Sequence, residues 1–277
     1  MRRRSFMENM ALASGILIFA GKRSLMAQEK TTPDTSPVRV MMIYNNTGSQ
    51  PGLKGAWGLS AWVATAEGNL LFDTGGDPDI LRDNMRHLRL DPSSLISVIL
   101  SHDHWDHRNG LSWLLEHTAY VPTVLVPAEV KEKYAQTYPA ARVRGITGPT
   151  EILPGIWSTG SMATTYKGDP LYEQALVILR GDHLWLLNGC SHPGVIPMVS
   201  QVKEAFPGKR IALVSGGFHL GSKTAMEVRE ISDLLRQEGV EKIAPSHCTG
   251  EEAITLFRKA WGNSFTAFNL GDELVIL

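Results

Sequence analysis

The stretch Ser101-His102-Asp103-His104-Trp105-Asp106-His107 decides how the rest of the chain is read. It contains H-x-H-x-D-H, which brings three imidazoles and the Asp106 carboxylate within six residues. Neutral imidazole and carboxylate oxygen are the usual ligands of zinc, and they also suit iron and manganese. Residues 97–100 (Ser-Val-Ile-Leu) are apolar and partly β-branched, so they read as a buried strand. The cluster then falls where that strand ends and the chain turns. His102 and His104 are two apart and project from one side of extended backbone. Asp106 and His107 swing back from the turn as a second group. This spacing suits two metal ions side by side. A single histidine is by default a surface or packing residue, but four ligand types in this order after an apolar strand depart from that default.

The arrangement recurs along the chain. Residues 69–72 read as a strand that runs into Asp73-Thr74-Gly75-Gly76, and an acid directly after a buried strand needs a reason. Asp73 reads as a carboxylate that orients a metal ligand, with a helix-entry acid as the plain alternative. Three later apolar runs end at Asn188-Gly189-Cys190-Ser191-His192-Pro193-Gly194, at Ser215-Gly216-Gly217-Phe218-His219 and at Pro245-Ser246-His247-Cys248-Thr249-Gly250.

Together these strings resemble the metal-binding motifs of the metallo-β-lactamase-fold hydrolases, over residues 38–277. The resemblance implies an α/β fold: a four-layer αβ/βα sandwich of two similar halves, with the metal site at the sheet edges. It implies His102, His104 and His192 as ligands of a first metal, and Asp106, His107 and His247 as ligands of a second. The cofactor so implied is zinc, one or two ions, with iron or manganese as alternatives. Asp106 and His219 are the candidate catalytic groups. Many members carry a bridging aspartate between the third and last histidine, but residues 215–219 offer no carboxylate. Either solvent alone forms the bridge, or the second metal is weaker or absent. His219 then reads as a ligand, as an acid–base group, or as a packing histidine. Within the superfamily, the strings above and Glu173-Gln174-Ala175-Leu176 are similar to the branch labelled 7,8-dihydropterin-6-methyl-4-(β-D-ribofuranosyl)aminobenzene-5′-phosphate synthase. That branch implies a transferase as the alternative to metal-assisted hydrolysis of an ester, lactone or phosphoester. A metal-binding protein without turnover is a third reading.

With 277 residues the chain is long enough for one large domain, and 43% hydrophobic against 20% charged content is ordinary for a globular protein. The net charge is −1; without the first 27 residues, 22 Lys+Arg face 27 Asp+Glu, a net of −5. No general pull on nucleic acid or anionic lipid follows, so the expected partner is a small-molecule substrate. Trp57, Trp105, Tyr166 and Tyr172 are candidate pocket walls. Cys190 and Cys248 each lie close to a candidate ligand and read first as small buried thiols under the site. A disulfide and direct metal ligation are the other readings.

Residues 1–27 read as an address rather than fold. Arg3-Arg4-Ser5-Phe6-Met7 matches the twin-arginine pattern, residues 10–20 form a short apolar run, and Leu25-Met26-Ala27 is a small-residue cleavage end. The expected location is periplasmic, reached through the export machinery, with the Sec route or an uncleaved anchor as alternatives. Residues 28–37 read as a flexible lead-in.

Along the rest of the chain the apolar spacing predicts strands at 38–44, 59–64, 121–126, 156–159, 175–179, 183–187, 210–214, 240–244, 265–268 and 273–277. It predicts helices after Asp77-Pro78 and over 110–116, 128–138 and 193–206, and two more introduced by Thr224-x-x-Glu227 and Thr249-x-x-Glu252. Residues 45–58, 142–150 and 161–172 read as loops.

Overall fold

The computed structural model describes residues 36–277. The export signal and most of the lead-in expected from the sequence lie outside the described residues. Among the described residues, fifteen strands and seven α-helices follow in order. In the first half come β1 (Val38–Asn45), β2 (Leu59–Thr65), β3 (Gly68–Phe72), α1 (Pro78–His87), β4 (Leu95–Ile99), α2 (Trp105–Arg108), α3 (Leu111–Glu116), β5 (Thr123–Pro127), α4 (Lys131–Thr137) and β6 (Arg142–Ile146). The second half holds β7 (Thr150–Leu153), β8 (Ile156–Ser158), β9 (Met162–Tyr166), β10 (Asp169–Glu173), β11 (Leu176–Arg180), β12 (His183–Asn188), α5 (Val195–Ala205), β13 (Arg210–Gly217), α6 (Ala225–Gln237), β14 (Ile243–Ser246), α7 (Glu251–Trp261) and β15 (Glu273–Ile276).

Two large sheets form, in the orders β15-β1-β2-β3-β4-β5-β6 and β14-β13-β12-β11-β8-β7. Strand alternation sends one set of side chains into the space between them. Val38, Val40, Leu70, Phe72 and Ile99 from the first sheet meet Leu176, Ile178, Trp185 and Leu187 from the second. The opposite faces carry helices. Leu71, Val98 and Leu100 pack on Leu81, Met85, Leu111 and Leu114 of α1 and α3. Leu184 and Leu186 pack on Met198, Val228 and Phe257 of α5, α6 and α7. The result is helix, sheet, sheet, helix, the four-layer sandwich expected from the sequence. Burying each of these large apolar side chains contributes about 1.5–3 kcal/mol.

Several local expectations are corrected. Residues 142–150 are not a loop: β6 occupies 142–146 and pairs only with β5. Its alternating Arg142 and Arg144 are the charges that blunt a sheet edge. Residues 161–172 are likewise not a loop but the β9–β10 hairpin, a two-stranded sheet of its own. Its turn is Lys167-Gly168, with φ of 51° and 91°, the two left-handed residues of a tight hairpin. No strand forms at 265–268; Phe265 makes a single bridge to Ile243. Thr224 and Glu227 do form a capping box, but Thr249 does not cap α7. Its hydroxyl instead accepts from the Phe218 amide at 3.0 Å, and Gly250 holds the cap position. On α6, Leu235 is buried while Leu234 beside it is 42% exposed.

In the first sheet β3, β4, β5 and β6 run parallel, and in the second β12, β13 and β14 do. Their carboxyl ends are where open α/β sheets place ligands. Every residue of the site below follows one of these ends or closes the gap between them. Among the described residues, no helix is long and apolar enough to cross a membrane.

Candidate metal centre

Asp73 follows β3, Ser101–His107 follow β4, Cys190–His192 follow β12, His219 follows β13 and His247 follows β14. Asp73, Ser191, His219 and His247 hold φ of 59°, 60°, 53° and 51°. A side chain in this left-handed region costs on the order of 1–3 kcal/mol, and such strain concentrates at functional sites. Here it marks the chain just after β3, β12, β13 and β14.

Two groups of donors result. His102, His104 and His192 bring one ligand atom each within 4.8 Å of one another, and Asp106, His107 and His247 do the same. His102 Nε2 lies 3.1 Å from His104 Nδ1. His107 Nε2 lies 3.2 Å from His247 Nε2, and the Asp106 carboxylate stands 3.4 Å from His247 Nε2 and 3.7 Å from His107 Nε2. Nitrogen ligands at about 2.0–2.1 Å on a tetrahedral cation sit roughly 3.3 Å apart. The observed separations are those of tetrahedron edges.

The other ring nitrogens are already engaged. Asp73 accepts from His107 Nδ1 at 2.7 Å, from the Ser101 hydroxyl at 2.7 Å and from the Ser101 amide at 2.6 Å. The Ser101 oxygen in turn lies 2.8 Å from His102 Nδ1. His192 Nδ1 meets Glu173 at 2.9 Å, and His247 Nδ1 meets the Asn46 side-chain oxygen at 2.6 Å. With Nδ1 donating in four rings, each Nε2 presents a lone pair to the centre, as metal-bound histidines do. Lone pairs facing at 3.2 Å repel unless a proton or a metal ion lies between them. The donor set therefore fits a metal ion, and its imidazole and carboxylate chemistry fits zinc.

The electrostatics differ from ring to ring, and on His107 a metal ion would have to displace a proton from Nε2. Burial, then the neighbouring imidazoles, push His102 well below the ordinary histidine value, and burial with His192 takes His104 down to about 4. Burial alone would lower His107, but the Asp73 carboxylate holds it up to about 9. Burial works against the charge on Asp106, yet His247 beside it and the charge of His107 hold its carboxyl well below the usual range. Glu173 is likewise kept low by His192 against the cost of burial. The neighbouring Cys248 sulfur raises His219.

A cleft of about 250 Å³ opens onto the centre, lined by Trp57, Trp105, Tyr166, Lys167 and His219 and, of the donors, by His104, Asp106 and His192. Of the four aromatics expected as walls, Trp57, Trp105 and Tyr166 are there; Tyr172, on β10 and paired with Ala163 of β9, is not in the lining. The Tyr166 ring stands 4.8 Å from His104 and 5.1 Å from His192. His219 stands 4.4 Å from His192 with its Nδ1 unpartnered among the described residues. Sequence reading assigned no role to Glu173, Asn46, Ser101 or Lys167. Glu173 carried a signal, an acid ending a run that folds as a strand, the same cue that marked Asp73. Asn46 carried none, since an asparagine in a glycine-rich loop is ordinary. Cys190 and Cys248 are both buried and free.

Two histidine-rich donor groups at the facing ends of a four-layer sandwich define a metal-dependent enzyme fold. The description "Metallo-beta-lactamase superfamily" matches residues 57–205, and the chain belongs to that superfamily. It is similar to the 7,8-dihydropterin-6-methyl-4-(beta-D-ribofuranosyl)-aminobenzene-5'-phosphate synthase of Methanocaldococcus jannaschii, at 27% identity over 73% of this chain and 82% of that one. Among solved structures it is similar to a metal-dependent hydrolase of the beta-lactamase superfamily, with a TM-score of 0.72, 26% identity, and coverage of 86% of this chain and 98% of the other. It also shares its fold with the metallo-beta-lactamase fold protein YhfI of Bacillus subtilis, with a TM-score of 0.64, 15% identity, and coverage of 87% and 100%.

Proposed function

We propose that the protein is a zinc-dependent hydrolase of small ester, lactone or phosphoester substrates. The observation that carries this reading is the pair of Nε2 atoms facing each other at 3.2 Å, each ring held from behind by a side chain. His102, His104 and His192 would hold one ion, and Asp106, His107 and His247 a second. A bound ion of this kind lowers the pKa of water from ~16 toward ~7, making hydroxide available at neutral pH.

The chain's own residues do the rest. Asp106 stays ionised, so its carboxylate accepts a hydrogen bond from the attacking water and aims it. His219, partly exposed beside His192 and raised by Cys248, is placed to give a proton to the leaving oxygen. Trp57 and Trp105, 50% and 52% exposed, form an apolar rim that can hold the flat or apolar part of a substrate. Lys167 Nζ stands 5.2 Å from the centre of the Tyr166 ring on the cleft wall, the cation there for an anionic group such as a phosphoester. A cleft of about 250 Å³ is below the roughly 300–1,000 Å³ of sites that engulf a ligand. The scissile group enters and the remainder stays outside.

A second reading is supported by the likeness to the Methanocaldococcus synthase: the same donors would activate a substrate nucleophile instead of water, giving a transferase. The test is turnover of a panel of esters, lactones and phosphodiesters by the zinc-loaded protein, with products identified. Loss of hydrolysis on chelation and in His104→Ala, with the circular dichroism unchanged, is the expected result. Hydrolysis that survives both, or a coupled product in place of a hydrolysed one, overturns the hydrolase reading. The periplasmic destination and export through the twin-arginine route are part of the same proposal, checked by fractionating cells that express the full chain.

A further inference from the structure

Among the donor groups lie two buried cysteines that hydrolysis does not use, and one of them reaches both groups. Cys190 is 2% exposed, and its Sγ lies 3.2 Å from His107 Nε2. That sulfur also shares a 4.8 Å cluster with the ligand atoms of His102 and His107, another with His192 and His219, and a third with His247 and Cys248. It is therefore within reach of donors from both ion sites at once. Its backbone is fixed, because the Cys190 amide donates to Glu173 at 2.8 Å. The strand end opposite cannot supply an alternative. A Cβ at Gly217 would stand 2.4 Å from the Gly189 carbonyl oxygen, 2.6 Å from Cys248 Sγ and 3.1 Å from Cys190 Cα, so no longer side chain fits there. Cys248 Sγ, in the third of these clusters, reaches donors of only one ion site and donates to the Cys190 carbonyl at 3.6 Å.

We infer that Cys190 is a metal ligand and bridges the two ions as a thiolate. The inference rests on the metal reading above and deepens it. On loading, the Cys190 S–H bond breaks, its proton leaves to solvent and a sulfur lone pair forms the bond to the cation; no electron changes hands. Sulfur is a strong zinc ligand at about 2.3 Å, and a thiolate between two ions offsets their mutual repulsion, as a shared carboxylate would. Cys248 is a positioning residue that fixes the Cys190 backbone.

The test uses the protein loaded with cobalt(II), whose bonds to thiolate sulfur give an intense near-ultraviolet charge-transfer band that nitrogen and oxygen ligands do not. The band is expected in the parent protein and in Cys248→Ser, and absent in Cys190→Ser. The second equivalent of cobalt should bind about tenfold or more weakly in Cys190→Ser. Cys190→Asp should keep two equivalents without the band, which separates a lost ligand from a lost fold. No band in the loaded parent, a band that persists in Cys190→Ser, or one lost only in Cys248→Ser overturns the assignment of Cys190. A parent protein that retains no cobalt at all overturns the metal reading itself.

Discussion

Glu173→Gln changes one buried atom from acceptor to donor, and the structure sets what that costs. The carboxylate is fully buried and takes four hydrogen bonds: Cys190 N at 2.8 Å and Ser191 N at 2.7 Å on one oxygen, His192 N at 2.7 Å and His192 Nδ1 at 2.9 Å on the other. Glutamine keeps the shape and one acceptor, so whichever way the amide turns, two donors face an NH₂. Hydrogen bonds to a charged group contribute about 1.5–3 kcal/mol each, so losing two costs roughly 3–6 kcal/mol. That is a large share of the 5–15 kcal/mol by which a domain is usually stable. The same change frees the His192 ring, and loss of such a supporting partner weakens metal binding by about 10–100-fold. Urea denaturation gives the first quantity and zinc competition against a chromogenic chelator the second. A variant that unfolds at the parent's urea concentration and holds zinc as tightly would refute the role given to Glu173.

Other outcomes follow from the same contacts. Thr224→Ala removes the cap of α6, whose hydroxyl accepts from Glu227 N at 3.3 Å, and should cost about 1 kcal/mol in thermal or urea unfolding without touching activity. Glu227 is held at about 2 by hydrogen bonds from Lys223 and Thr224. Its folded value is depressed, so Glu227→Gln should be less stable than the parent above pH 4.5, with the difference vanishing as pH falls through about 2 in pH-dependent urea melts. Stripping the metal with a chelator should lower stability by ~2.7 kcal/mol when the ion had been present at a hundredfold over its dissociation constant. Equal calorimetric midpoints with and without chelator would contradict a resident ion. Lys167→Ala should raise KM for anionic substrates while leaving kcat and neutral substrates unchanged, and the KM effect should shrink as salt is added.

The parts of this molecule that read directly from sequence are those where one physical signal had no competitor. Apolar strands ending in ligand-type residues marked Asp73, His102–His107, His192 and His247, and the structure brings all of them to one place. The hairpin at 162–173 was hidden because its strands pair only with each other and carry polar residues on both faces, so no alternation survives. β6 was hidden by its arginines, which suit an edge and mimic a loop. Thr249 and Glu252 have the spacing of a capping box, but a tertiary partner, the Phe218 amide, takes the threonine first. Asn46 and Ser101 act on histidines through contacts that exist only once the two sheets face each other, which no local pattern encodes. The bridging position could not be filled by looking for a carboxylate on residues 215–219, because the side chain nearest both groups arrives from the β12 loop.

The β9–β10 ribbon carries Tyr166 and Lys167 at its free turn and Glu173 where it rejoins the body. What the cleft accepts and how firmly the centre is braced are thus written on one short segment, at opposite ends. Descendants of this protein can trade residues 163–172 to explore new chemistry outside the cell's present repertoire, provided the acid at 173 is inherited unchanged. Diversification here is expected to be modular at the tip and frozen at the root, and libraries built on this scaffold should be randomised accordingly.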